Sequence, residues 1–591
     1  MRVGAARTCG LAALVAACLG CAVDPSPSVD TTCKKTPPTG PYRLDANAGS
    51  VLPDLSLPGI GEGGSGPVRL HADYHVPCAE AAQLLVIRLV GGAWCGTSRW
   101  HGQHTTDLLF TPRIRVIDVV TSDAENNPAG TFALEAWRAF VDRPNQIATV
   151  LDPELTLRGL FPPSGAPLPL YVIVDARTMV VRGWMSNPDP DTLHHQLASH
   201  LAALDGVAPP PPPKVFRWDG LFTRDQWDLI RQITPPGAPP PDPTNAVADD
   251  PQAAAFGKAL FTDTGLSRTN TVACVTCHDP KKQLSDGLPR ALGVGEGDRR
   301  TPRIALAAHA PAQLWDGRAD TLWAQALGPL EDEHEMGSSR VSVARRIATA
   351  HAAAYRAVFP SHALPDVTRL PDHAKPGDAA WLALPPEERD RVNQVFVDVG
   401  KALAAYERTF RVPETALDRY ARSEFDALTP RQKSGLSLFA EHGCFQCHHG
   451  PRLTDDAYHV TRMATGRRDG KADRGRLDGL AALLASEFRA DLRWSDRRST
   501  FVAPSTHPRL LGAFKTPSLR GVAEAAPFGH GGTLPTLVEV TELYGQGGLP
   551  AGDPRTVGEI EPWLPTFDVT SQWALPPILE TLGGAPLAPG L

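Results

Sequence analysis

Cys274-Val275-Thr276-Cys277-His278 and Cys444-Phe445-Gln446-Cys447-His448 repeat one five-residue pattern, C-x-x-C-H, about 170 residues apart. Two thiols at this spacing can add to both vinyl groups of one haem, and the adjacent imidazole can reach its iron. With 10 Cys and 19 His in 591 residues, one accidental match is expected roughly 0.005 times and two on the order of 10⁻⁵ times. The expectation is two covalently bound c-type haems. Cys274, Cys277, Cys444 and Cys447 would form the thioethers, and His278 and His448 would be the proximal iron ligands. Zinc or a disulfide is the alternative use of a C-x-x-C pair.

Around these motifs the chain reads as folded and multidomain. Its 591 residues suffice for three or four domains, and 42% hydrophobic with 21% charged residues is an ordinary globular balance. The formal charge of −7, with no basic domain, lacks the phosphate-neutralising footprint of a nucleic-acid binder. Arg2 and Arg7 precede an apolar stretch from Leu11 to Leu19, too short to span a bilayer but suited to a secretory signal over residues 1–21. Val15-Ala16-Ala17-Cys18 resembles a lipobox, and Leu19-Gly20-Cys21 is a second candidate, so the lipidated cysteine is left open between Cys18 and Cys21. The mature chain is expected to be exported to the periplasm and tethered to a membrane by a lipid and the linker 22–45.

Two proline-rich breaks divide the remainder. Pro209 to Pro213 is an uninterrupted run and Pro235 to Pro243 holds six more prolines, so 206–248 is expected to be a stiff linker carrying one short amphipathic helix from Trp218 to Ile233. Before it, in 46–205, apolar runs at Leu84 to Val90, Ile114 to Val120, Leu170 to Val174 and Met179 to Trp184 alternate with helix-compatible segments, as in an α/β sheet. After it the chain is mainly α. Val392, Val395, Phe396, Val399, Leu403 and Tyr406 recur at helical spacing, and Thr429-Pro430 offers an N-cap and first-turn proline. One motif falls in 249–425 and the other in 426–591, giving two cytochrome c-type domains behind the α/β domain.

The second half resembles bacterial di-haem cytochrome c peroxidases and the related MauG enzymes. The likeness rests on Ala255 to Phe261, Leu266-Ser267, Cys274 to Pro280, Thr301-Pro302, Leu314 to Asp320 and Gln325 to Pro329 in the first domain. In the second it rests on Cys444 to Pro451, Leu453-Thr454-Asp455, Phe514 to Arg520 and Thr536 to Tyr544. The resemblance implies that the His278 haem meets hydrogen peroxide while the His448 haem takes up electrons one at a time. It implies Glu335 as the acid/base, Gln325 as the amide that orients peroxide, and Trp315 as a relay between the haems.

Two departures from that pattern matter. The loop from Leu288 to Arg300 contains no His, so the distal ligand that closes the first haem in reductively activated members is expected to be absent. The family's Met position at the second haem holds Tyr544, a match to the MauG arrangement, with Met463 or a His as the alternative sixth ligand. The family's inter-domain calcium is weakened here, because Arg300 precedes Thr301-Pro302 where an Asn usually supplies a ligand.

Leu84 to Val90 followed by Gly92-Ala93-Trp94-Cys95-Gly96-Thr97-Ser98 resembles the active-site turn of thioredoxin-like proteins, with Pro169 at the cis-proline position. Ser98 replaces the resolving cysteine, which rules out an internal dithiol cycle there. A helix N-terminus should lower the Cys95 pKa and make it a redox thiol; a degenerate docking domain is the alternative. Cys33, Cys78 and Cys95 are an odd set, consistent with one disulfide and one free thiol.

The leading reading is therefore a di-haem peroxidase that reduces hydrogen peroxide with electrons from a small cytochrome c or copper protein. The runner-up is a MauG-like oxidase that turns peroxide-derived high-valent iron on a protein or organic substrate. A non-enzymatic electron-transfer cytochrome with a docking module is third, and a homo-oligomer is left open. Matured protein should show two haems per chain in a pyridine haemochrome assay, and a value of one would contradict the double motif.

Overall fold

A computed structural model describes residues 43–589 apart from 46, 62–63, 76–83, 106–108, 110, 500–505, 565, 585 and 587. The expected signal segment 1–21, Cys18, Cys21, Cys33, Cys78 and linker residues 22–42 lie outside the described residues.

The N-terminal domain is built on seven strands: β1 (Ser56–Gly61), β2 (Gly64–Arg69), β3 (Leu84–Val90), β4 (Ile114–Val120), β5 (Ala148–Leu151), β6 (Leu170–Asp175) and β7 (Val180–Ser186). Helix α1 (Gly96–His104) follows β3, α2 (Thr131–Arg138) follows β4, and α3 (Pro190–Asp205) closes the domain. The sheet order is β2-β1-β5-β4-β3-β6-β7, with β3, β4 and β5 parallel and β6 antiparallel to β3. All seven residues of β3 are buried, as a strand covered on both faces requires. Its one charge, Arg88, sits in register with Asp118 on β4 and donates to both carboxylate oxygens at 2.7 Å, so neither buried ion is left unpaired. The order β4-β3-β6-β7, the helix after β3, the Leu168–Pro169 cis peptide before β6 and the closing helix make this a thioredoxin-like fold.

The proline-flanked segment is not a free spacer. Its helix, α4 (Arg224–Ile230), is shorter than the periodicity suggested, because Trp218 pairs with Phe222 and a Thr223–Gln226 capping box delays its start. Phe222, Trp227, Leu229, Ile230 and Ile233 are buried in one core with Leu417, Tyr420, Leu436, Phe439 and Phe445, beside the second motif. The bulk of these aromatics, rather than proline stiffness, fixes the segment.

The C-terminal half is helical, through α5 (Pro251–Phe261), α6 (Leu322–Glu331), α7 (Arg340–Ala350), α8 (Pro386–Glu407), α9 (Pro430–Glu441) and α10 (Leu537–Gly545). Helix α8 is the spine of the first haem domain, and the apolar positions read from its periodicity are all buried. A methyl at Gly257 would lie 1.9 Å from the Ala402 carbonyl oxygen, so only glycine lets α5 cross α8 this closely. The same core takes in Phe488 and Trp494 from beyond the second motif. The Arg340–Glu487 and Lys401–Asp496 ion pairs, at 2.9 and 2.7 Å, fasten that stretch, so residues 487–496 pack with the first haem domain rather than with 426–591. No helix among the described residues is long and apolar enough to cross a membrane.

Candidate active site

The two motifs open onto one cavity of about 710 Å³, lined by Cys277 and His278 on one side and by Cys444, Cys447 and His448 on the other. Cys274 to Cys277 form a single helical turn, and His278 Nδ1–H donates to the Leu284 carbonyl at 2.9 Å. The second motif repeats the device: His448 Nδ1–H donates to the Leu453 carbonyl at 3.0 Å. Both leucines are left-handed, with φ of 53° and 51°, which turns each chain back over its histidine. With Nδ1 committed, each imidazole has Nε2 free for a metal, the usual orientation of a ligating histidine.

These residues fit haem. The four motif cysteines are free thiols, and burial pushes each up to about 12, so each stays a protonated thiol. Neither C-x-x-C pair converges with its own histidine on one point. Among the described residues the only such convergence is Cys447, Asp455 and His459, and there His459 is already bonded to Asp455 at 3.0 Å and Glu561 at 2.7 Å.

Glu335, Gln325 and Trp315 all line the same cavity. Helix α6, capped by Thr321, carries Gln325; the turn beyond its C-terminus carries Glu335. Burial, then the neighbouring Asp332 charge, raises the Glu335 carboxyl to about 7, against a smaller opposing pull from Arg318. Glu335 also acts electrostatically on Cys274 and Cys277, which places it at the first motif. Trp315 sits at the seam of the two haem domains: its indole N–H donates to the Arg300 carbonyl at 3.1 Å and its carbonyl accepts from Lys515 at 2.8 Å.

The histidine-free loop forms part of the wall. Val294 N–H donates to the Glu335 carbonyl at 2.8 Å and Gly295 N–H to the His334 carbonyl at 2.9 Å. A methyl at Gly293 would lie 2.1 Å from the Glu335 carbonyl oxygen, so this glycine lets the loop press onto the acid/base turn. The residues at the Thr301-Pro302 step do not fit a calcium ion. Arg300 is buried there and keeps its charge, although burial lowers it to about 10, and a cationic side chain cannot serve as a ligand.

Tyr544, on α10, lines the cavity near Cys444 and Cys447, and burial raises its phenol's pKa. Met463 lines the cavity as well, with Gly529 beside its sulfur.

A model of the di-haem cytochrome c peroxidase family matches residues 251–426. The methylamine utilisation protein MauG of Methylorubrum extorquens is 33% identical over 303 residues, covering 50% of this chain and 70% of that one. The cytochrome c551 peroxidase of Pseudomonas aeruginosa is 28% identical over 298 residues, covering 50% of this chain and 72% of that one. The solved diheme peroxidase BthA of Burkholderia thailandensis aligns at 24% identity with a TM-score of 0.43, covering 63% of this chain and 93% of that one. The chain belongs to the di-haem cytochrome c peroxidase and MauG family. It is thus a haem oxidoreductase, and the reading as a non-enzymatic carrier gives way.

Within this family member, Cys95 departs from expectation. It caps α1, accepting from Ser98 N–H at 3.4 Å, yet it is fully buried, and desolvation outweighs the helix terminus and raises its pKa. Behind the second motif, His459 and Glu561 carry no signal in the sequence beyond the i, i+4 spacing of His459 from Asp455, which itself ends the Leu453-Thr454-Asp455 stretch of the family likeness.

A proton acceptor at about 7 must be ionised to take the first proton from peroxide, so turnover should rise with pH through about 7. Glu335→Gln should remove that limb and lower peroxide turnover roughly 10²-fold or more at unchanged haem content. An unchanged pH profile would demote Glu335 to a wall residue.

Proposed function

We propose that this chain is a c-type di-haem peroxidase that reduces hydrogen peroxide to two waters, taking two electrons singly from a small cytochrome c or copper protein. The observation that carries the proposal is that Glu335, with its carboxyl poised at about 7, and Gln325 both line the cavity onto which His278 opens. The haems held by Cys274, Cys277 and His278 and by Cys444, Cys447 and His448 would supply the redox chemistry when bound.

The chain's own residues do the rest. The Gln325 amide donates to a peroxide oxygen and orients it. Glu335, ionised, takes the proton from the near oxygen and hands it to the far one, which converts a poor leaving group into water. The loop bonded to Glu335 through Val294 fixes the acid/base turn, and its lack of histidine leaves no ligand there to close the first haem. Trp315, tied to Arg300 and Lys515, offers an indole relay across the seam. Export to the periplasm with a lipid anchor is part of the proposal. It is supported by the signal-like residues 1–21 and by attachment motifs that suit an exported chain.

A second reading, a MauG-like oxidase acting on a protein or organic substrate, is favoured by one observation: Tyr544 faces the cavity beside the second motif. A phenolate is a harder donor than a thioether; it favours ferric iron and lowers the potential. Steady-state peroxide consumption with a reduced cytochrome donor tests the proposal. Tyr544→Phe should change the spectrum and potential of the His448 haem with both thioethers intact. If neither moves, the oxidase reading loses its support.

A further inference from the structure

The thioredoxin-like domain turns its active-site face inward, onto the second haem motif. A methyl at Gly96 would lie 2.7 Å from the His449 ring and 3.0 Å from the Phe445 carbonyl oxygen, so no larger residue allows this approach. Leu168, immediately before the cis-proline, donates its N–H to Gln446 Oε1 at 2.7 Å, and Gln446 lies between the two cysteines of the motif. Trp94 meets His459 edge to face, with ring centroids 4.7 Å apart. Arg99, on the first turns of α1, donates to His449 Nε2 at 2.6 Å, while His449 Nδ1–H donates to the Gln446 carbonyl at 3.1 Å.

This arrangement leaves the turn no room for thiol exchange with an outside protein. Cys95 is fully buried, as are Thr97 and Ser98, and Thr97 donates to the Leu168 carbonyl at 2.6 Å. It does bring one cation to the second motif from another domain. The charged groups gathered there are Arg99 and His459 against Asp455 and Glu561, with Arg509 on the far side of Glu561, where Asp152, Glu154 and Asp123 also face it. His459 is held protonated by its two carboxylate partners.

We propose that the active-site face of the thioredoxin-like domain is the binding site for loop 444–449, and that Arg99 is a positioning residue that holds His449 and raises the reduction potential of the His448 haem. The proposal rests on the reading that His448 carries a haem. The physical reason is charge balance. Reduction adds an electron to the iron, and a half-buried guanidinium nearby, only partly screened by water, favours the reduced state. Removing Arg99 takes one positive charge away from the second motif and so shifts the balance toward the ferric form. Arg99 also fixes the His449 tautomer, and with it the peptide that follows the iron ligand.

The test is a spectroelectrochemical titration of matured full-length wild type, Arg99→Gln and Arg99→Lys, with haem content measured on the same samples. Arg99→Gln should lower the potential of the His448 haem and leave the His278 haem unmoved, and Arg99→Lys should recover most of the shift. Cys95→Ser should change neither potential. In native wild type the peptide carrying Cys95 should stay unmodified by a small maleimide until denaturant is added, a readout that needs no variant to fold. An unchanged potential in Arg99→Gln with both haems present overturns the proposal, as does rapid native labelling of Cys95. Wild type lacking the second haem would instead overturn the di-haem reading itself.

Discussion

Two hydrogen bonds organise this molecule: each motif histidine gives its Nδ1–H to a carbonyl of a left-handed leucine a few residues on, Leu284 for His278 and Leu453 for His448. Everything else in the catalytic half is arranged around the consequence, which is two imidazoles with Nε2 free at the rim of one cavity. The bond also makes each ligand more basic and fixes its ring plane. The helices behind the first motif, with α8 crossed closely by α5 at Gly257, give that turn a rigid floor. The second motif has no comparable helical spine. It is braced instead by the proline-flanked segment with Trp227 on one side and by the thioredoxin-like domain on the other.

The chemistry divides along the same line. On the His278 side the polar groups suit proton movement: a carboxyl raised to about 7, a loop without histidine bonded to that residue's backbone, and an amide in the same cavity wall. On the His448 side they suit control of an electron: a phenol and a buried trio of charges, His459, Asp455 and Glu561, with the half-buried Arg99 beside them. Desolvation drives both halves. It lifts Glu335 into the range where it can exchange a proton at neutral pH, and it makes charges beside the second motif count for more than they would in water.

Local signals in the sequence carried far, and long-range ones did not. Leu84 to Val90 and Ile114 to Val120 coincide with β3 and β4 because a strand covered on both faces is mostly apolar, its rare charges paired as Arg88 is with Asp118, and Thr429-Pro430 starts α9 because a cap is read from two residues. The C-x-x-C-H motifs and the His-free loop were legible because their chemistry lies in contiguous residues. Cys95 was misjudged, since a helix terminus lowers a thiol pKa only where water or charge remains, and burial is a property of the neighbours. The same holds for Gly96, whose role exists only because His449 lies against it, and for Phe488 and Trp494, which return to a core formed some hundred residues earlier. The proline runs suggested a spacer because composition does not show that Trp227 has a pocket to fill.

A loop without histidine implies a first haem site that stands open, with its acid/base in place, before any electron arrives. Rapid mixing of the fully oxidised holoenzyme with stoichiometric peroxide, followed by absorbance, tests it most directly. An open site gives an immediate spectral change at the His278 haem with no prior reduction. No reaction until one electron has been added, with a resting spectrum of two six-coordinate low-spin haems, would contradict it.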